Sequence, residues 1–288
     1  MTPLARADEP ATWSDAHLHL WDSSVLAPPW LAAAPQFSGS CGLGRYRGDG
    51  GVGGALVLVE ADVAPRDRAR EAELLSSWAR AEGRAHAVVA GIEPGGACFA
   101  EEVRAARAVP AVTGSRRVLH GGDRAFGGAA FVRDLRALGA AGISADLCVR
   151  WTDLALVEHC AREAPETTLV LDHLGNPPLR AGWDSAERVE WQRLFARVAA
   201  CTNTVVKWSA MFENAGRAID AREARGWFDW SLECFGADRV LWGSNWPVCF
   251  ADAPLSKWLE CAADLARPLS PREQDAVFRA NAARIYRC

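Results

Sequence analysis

The pentapeptide Asp15-Ala16-His17-Leu18-His19 sets two imidazoles two residues apart. Side chains alternate along a strand, so His17 and His19 share one face. Such a pair can hold a divalent metal through neutral ring nitrogens or hydrogen-bond an oxyanion. A third imidazole, His173, sits in Asp172-His173-Leu174-Gly175-Asn176-Pro177, directly after the apolar run 169–171. That run puts His173 at the C-terminal end of a strand, as a third metal ligand or a substrate donor. Alternation then turns Asp172 the opposite way, into the layer between strand and helix. Each of these histidines could instead be a hydrogen-bonded core residue.

Other candidates surround them. His120 ends a weaker strand beside Arg116 and Arg117, and a guanidinium there can grip a substrate carboxylate through two nitrogens. Of the two arginines, Arg117 is taken as the substrate-facing one. Glu60 ends another strand, with Leu56 and Leu58 on its own face, where it can contact substrate, ligate or act as a base. Asp146 lies inside a strand and needs a cationic partner; Arg150 is near in sequence. Lysine occurs only at 207 and 257 in an arginine-rich chain, so a retained lysine suggests chemical need. Lys207, followed by Trp208 and Ser209, can hold a carboxylate or an oxyanion.

The elements that must position these groups follow from hydrophobic periodicity. Strands are expected at 13–20, 54–61, 85–92, 115–120, 143–149, 167–173, 204–209 and 239–245. Helices are expected at 66–82, 99–109, 128–139, 152–164, 185–200, 221–235 and 254–266. A closing helix at 271–286 opens with Ser270 as N-cap and Pro271 at its first position. Several strands are continuously apolar, as strands buried on both faces must be. Regular alternation over this length predicts one domain, residues 1–288, folded as a single (β/α)8 TIM barrel. The stretch 21–53 breaks the rhythm as a long Gly- and Pro-rich loop after the first strand. It is expected to wall or cover the catalytic mouth.

Composition narrows the classes. The 288 residues carry 32 basic and 36 acidic side chains, a net charge of −4, so the basic surplus of a nucleic-acid binder is missing. No apolar run is long enough to span a membrane, and MTPLARADEP lacks the apolar core of a signal peptide. The nine cysteines are scattered and never form CxxC, which reads as buried thiols of a cytoplasmic protein. Thirteen tryptophans exceed ordinary usage and could wall a site for a ring-shaped ligand.

Four motifs in order, DAHLHLWD, LDHLGNPP, VVKWS and LWGSNWPV, together with the closing FRANAARIY, resemble the amidohydrolase superfamily. The likeness is strongest to its branch of TIM-barrel metal-dependent hydrolases, which includes sugar-lactone and muconolactone-type lactonases. It implies that His17 and His19 are the first-strand pair and His173 the sixth-strand histidine. Asn245 falls where catalytic members carry an aspartate that binds metal or takes a proton from water. An amide can do neither well. No lysine ends a middle strand as a carbamylation site, so at most one metal is expected, zinc or another divalent ion held by His17, His19 and His173, or none.

The resemblance implies a hydrolase that opens a small lactone of a sugar acid or an aromatic-degradation product. His17, His19, His173 and Asn245 are the expected catalytic positions. Glu60, Arg117, His120, Lys207, Trp208 and Trp246 are expected to contact an anionic, cyclic small molecule. A homo-oligomer is compatible with this reading. Asn245 keeps two alternatives open: a non-hydrolytic cyclase, isomerase or decarboxylase on the same fold, and a catalytically silent binding protein. Asn245→Asp should raise hydrolysis if only the strand-eight base is missing. It should leave activity unchanged or lower it if the reaction avoids water.

Overall fold

Segments such as LVLV at 56–59 and LVL at 169–171 have no polar face to offer water, so both faces must be covered. A computed structural model, which describes residues 12–120, 125–251 and 253–288, covers them by closing eight parallel strands into a barrel ringed by helices. The segment MTPLARADEP lies outside the described residues. The strands are β1 (Asp15–Leu18), β2 (Leu56–Val59), β3 (His86–Gly91), β4 (Val112–Val118), β5 (Ser144–Cys148), β6 (Leu169–Leu171), β7 (Thr204–Trp208) and β8 (Val240–Trp242). They pair in chain order. β8 is too short to close the seam alone. The chain just beyond it does so: Asn245 N donates to His17 O at 2.8 Å and His19 N to Trp246 O at 2.8 Å.

Two apolar cores result. One lies between the strands and the outer helices and holds most of the tryptophans: Trp208, for example, packs on Phe228 and Trp258. The other fills the lower barrel with Val57, Val59, Ala87, Val89, Val170, Val205 and Leu241, capped by Tyr286 of the closing helix. Gly114 makes room for that cap, since a Cβ there would stand 3.2 Å from the Tyr286 ring. The closing helix begins with a reciprocal Ser270–Glu273 capping box and widens into a π turn at Ala276–Ala280. Among the described residues no helix is long and apolar enough to cross a membrane.

Loop 21–53 has structure of its own. Trp21–Asp22 pairs antiparallel with Ser40–Cys41, and a short helix spans Leu43–Gly48. Tyr46 anchors it by donating to Asp15 Oδ2 at 2.8 Å.

Candidate active site

At the C-terminal mouth the strands stop abruptly. Left-handed backbone appears just past the ends of four of them, at Asp62, at His173, Leu174 and Asn176, at Ala210, and at Asn245. Non-glycine residues avoid this region at a cost of about 1–3 kcal/mol each, and such strain gathers where function over-determines geometry. After β6 the consequence is large. The chain turns left-handed at His173 (φ 57°), so strand alternation ends at Leu171. Asp172 therefore faces the barrel interior together with His173, instead of the helix layer that alternation predicted.

Three imidazoles meet there. His17 and His173 have ring centroids 4.5 Å apart, and His17 Nε2 is 3.1 Å from His19 Nε2. Gly243 permits this approach, because a Cβ on it would lie 2.6 Å from His17 Cβ. Every ring has a partner at Nδ1: the Val59 carbonyl at 3.0 Å for His19, Ser209 Oγ at 2.7 Å for His173, and both Asp172 Oδ1 and Lys207 Nζ, each at 3.3 Å, for His17. In the tautomer that donates from Nδ1, each Nε2 keeps its lone pair. This is the arrangement by which protein groups orient metal-binding histidines. Burial lowers the His17 pKa well below its ordinary value, and burial followed by the Arg116 charge lowers His19 to about 3. Both rings are neutral near pH 7, the form that binds metal.

Behind the imidazoles lies a layer of paired charges. Lys207 Nζ is 2.5 Å from Asp146 Oδ2 and 3.3 Å from Asp172 Oδ1. Tyr286 donates to Asp146 Oδ2 at 2.6 Å. Arg116 reaches Asp172 Oδ2 with Nε at 3.2 Å and Glu60 Oε1 with Nη1 at 3.0 Å. Burial works against the Asp172 carboxylate, but Lys207 foremost outweighs it and holds its pKa well below the usual range. Burial raises Glu60 despite Arg116.

A cavity of about 300 Å³ opens above this layer, lined by His19, His173, Arg116, His120, Cys148, Asn176, Trp30, Asp62, Glu213 and Asn245 among others. His120 Nε2 lies 3.1 Å from Asn176 Nδ2 and 3.3 Å from Cys148 Sγ. Glu60 sits beneath the rim, tied to Arg116. Asn245 donates from Nδ2 to Glu213 Oε1 at 2.7 Å.

Five expected substrate contacts do not line the cavity, Glu60, which is held by Arg116, among them. Arg117 is one residue out of phase with Arg116 and points outward, where Nη2 pairs with Glu93 at 3.0 Å. Lys207 is fully buried below the imidazoles, held by the two aspartates and 3.3 Å from His17 Nδ1; Asp146 thus finds Lys207 and not Arg150. Trp208 alternates into the outer core. Trp246 is buried against Tyr46, and its indole donates to Asp49 Oδ2 at 3.1 Å. From loop 21–53 it is Trp30 that lines the cavity, held by a 2.7 Å bond to the Ala61 carbonyl.

Sequence reasoning missed Arg116, Cys148, Asn176 and Glu213 as lining residues. Arg116 was legible as one of a pair whose phase was open. Glu213 carried no signal beyond being a carboxylate four residues past the end of a strand motif.

The amidohydrolase family profile matches residues 14–288. L-fucono-1,5-lactonase from Burkholderia ambifaria is 32% identical over 133 residues, 44% of this chain and 44% of that enzyme. The Burkholderia multivorans L-fucono-1,5-lactonase is 32% identical over 140 residues, 44% of this chain and 45% of its own. The aligned part thus spans less than half of these relatives. A crystal structure of an amidohydrolase from Burkholderia multivorans with zinc bound superposes with a TM-score of 0.82 at 28% identity, covering 96% of this chain and 99% of that one. A putative 2-pyrone-4,6-dicarboxylic acid hydrolase from Pseudomonas putida, at 22% identity and TM-score 0.67 over 96% of this chain and 97% of its own, shares the fold. With the profile spanning the whole barrel and the mouth histidines inside it, the chain belongs to the amidohydrolase family.

Proposed function

We propose that this chain is a hydrolase that opens a small, neutral, hydroxyl-rich lactone of the sugar-acid type. The observation that carries the reading is the cluster of three imidazoles, each partnered at Nδ1, of which His19 and His173 line a cavity of about 300 Å³. Lactone hydrolysis needs a polarised carbonyl, a delivered water and a stabilised tetrahedral oxyanion. The L-fucono-1,5-lactonase relatives favour a sugar lactone.

Charge at the cavity argues for a neutral ring. Arg116 is its one lining cation among the described residues, and it is already shared between Glu60 and Asp172. Asp62 and Glu213 add negative charge to the walls. A dicarboxylate would meet repulsion here, whereas hydroxyls can use those acceptors. Trp30 offers a flat apolar face for a sugar ring. This revises the anionic substrate expected from Arg117 and Lys207.

The donor set fits one divalent ion. Two Nε2 atoms 3.1 Å apart suit ligands that each bind zinc at roughly 2.0–2.1 Å. Ligand atoms of His17, Asp172 and His173 also lie within 4.8 Å of one another. The Lys207 ammonium already occupies the Asp172 side of His17, so His17, His19 and His173 would hold the ion from the cavity side. When bound, the ion supplies Lewis acidity toward the carbonyl oxygen. The histidines orient the site, and Trp30 forms part of its wall.

The test is turnover of a panel of lactones by zinc-supplemented and chelator-treated protein. Neutral sugar-acid lactones should be opened, and faster than pyrone dicarboxylates. A zinc-loaded protein that accelerates no neutral lactone would sink the proposal. Asn245 favours a second reading, a non-hydrolytic reaction on the same cavity; product analysis showing a rearranged or decarboxylated ring with no water added would select it.

A further inference from the structure

The position from which family members present an aspartate holds an amide, but a carboxylate is not missing from that spot. Asn245 Nδ2 donates to Glu213 Oε1 at 2.7 Å, and both residues line the cavity with His19 and His173. Glu213 reaches it because Ala210, just past β7, takes a left-handed conformation (φ 56°) and throws the short helix Met211–Ala215 across the mouth. Asn245 is itself fixed: its backbone N donates to His17 O at 2.8 Å, and its φ of 56° is one that asparagine tolerates. The carboxylate is therefore tied, through one amide, to the strand bearing the first imidazole.

The other carboxylates near the imidazoles lie outside the cavity lining. Glu60 is bound to Arg116, Asp146 to Lys207 and Tyr286, and Asp172 to Arg116 and Lys207. Asp146 and Asp172 are also fully buried beneath the imidazoles. Among the described residues only Asp62 and Glu213 contribute carboxylates to the cavity wall, and Asp62 is exposed at the rim.

We infer that Glu213 is the general base of this chain, supplied from the loop after β7 in place of a strand-eight aspartate, with Asn245 as its positioning residue. The inference rests on the lactone-hydrolase reading above. Glu213 takes one proton from water as the water oxygen bonds to the lactone carbonyl carbon and the carbonyl electron pair moves onto its oxygen. The tetrahedral oxyanion then collapses, and the bond from that carbon to the ring oxygen breaks. The proton held by Glu213 passes to the ring oxygen, which leaves as a hydroxyl. One water is consumed, Glu213 is regenerated, and the new carboxylic acid loses its own proton to solvent.

The pair can be exchanged, and this makes the test sharp. In Glu213→Gln the base is lost while a hydrogen-bonding side chain of the same shape remains. Adding Asn245→Asp restores an amide–carboxylate hydrogen bond with its direction reversed and the carboxylate on the strand. Steady-state kinetics on the best neutral lactone should show kcat reduced about 10²–10⁴-fold in Glu213→Gln, with KM within a few-fold. The double variant should regain at least about tenfold over Glu213→Gln. Asn245→Asp alone should lower kcat, because it sets a second carboxylate against Glu213. Thermal melts of each variant establish folding, and Glu213→Asp, which keeps the carboxylate but shortens its reach, should fall between parent and Glu213→Gln. Three results would overturn the inference while leaving lactone hydrolysis intact: a Glu213→Gln enzyme with near-parent kcat, a loss confined to KM, or a loss on Asp62→Asn that Glu213→Gln does not share. A parent enzyme that opens no lactone overturns both.

Discussion

The barrel interior is built twice, in two different ways. Its floor is apolar: Val57, Val59, Ala87, Val89, Val170, Val205 and Leu241 interlock under the Tyr286 ring. Its upper layer is ionic: Lys207, Asp146, Asp172, Arg116 and Glu60 form a continuous chain of pairs directly below the imidazoles. The floor contains no residue with strained backbone, whereas left-handed residues crowd the strand ends above the ionic layer. Apolar packing would have been the cheaper way to fill both layers, since a buried ion network recovers its desolvation cost only with close geometry. The contrast teaches that the upper layer is kept for what it does to the imidazoles. Asp172 receives two cationic neighbours, Arg116 and Lys207, and in turn faces His17 Nδ1.

The largest test of that contrast removes the central cation. Lys207→Met keeps the length of the side chain but leaves Asp146 with only the Tyr286 hydroxyl and Asp172 with only Arg116 as its cation. Breaking a buried pair in this way costs about 3–5 kcal/mol. A floor truncation, Val205→Ala, should cost about 1.5–3 kcal/mol from lost burial alone. Denaturant titration of both variants ranks them, and a smaller loss for Lys207→Met would mean the network contributes nothing beyond volume.

The floor was readable in the sequence and the upper layer only in part. Apolar runs such as 56–59 announce strands buried on both faces whatever their register, so the eight-fold repeat and the closing helix could be laid out from periodicity. The phase of each polar residue was another matter. In SRRVLH, Arg116 and Arg117 are equally good guanidinium donors, and nothing local says which faces in. At Asp172-His173 the rule of alternation itself fails, because the strand ends at Leu171 and the backbone turns left-handed. The expected strands 167–173 and 239–245 both overran for this reason, and the observed β6 and β8 have only three residues each. Glu213 depends on a bend at Ala210 that its neighbours do not announce, and Trp208 and Trp246 were misplaced by treating tryptophan content as a site signal when most of it fills the outer core.

The two arginines give a like-for-like comparison of the ionic layer with the barrel's outer face. Arg116→Lys keeps the charge but cannot span Glu60 and Asp172 with a planar fork. Leaving one buried carboxylate short of its partner should cost about 2–3 kcal/mol and lower kcat/KM. Arg117→Lys alters a half-exposed pair with Glu93, where a change within about 0.5 kcal/mol and unchanged KM are expected. Equal effects in the two variants would erase the distinction between inward and outward phase, and a raised KM for Arg117→Lys would return that residue to the substrate.

The smallest effect concerns pH at the junction of the two layers, where Asp146 accepts from both Lys207 and Tyr286. Burial, only partly offset by Lys207, raises its pKa from an ordinary 3.8 to about 6. The native carboxyl therefore keeps a proton over a range in which the unfolded chain has lost it. By linkage this contribution to stability is fully present below pH 3.8 and is lost as pH rises through about 6. Asp146→Asn removes the titration while leaving Lys207 paired with Asp172. The stability difference between parent and variant should thus favour the parent more at pH 4.5 than at pH 7.5, by roughly 1–2 kcal/mol. Using the difference cancels the buried histidines, which act in the opposite direction in both proteins. If the parent's relative advantage grew with pH instead, Asp146 would be held ionised by Lys207 throughout, and the ionic layer would reach down to the floor with its full charge.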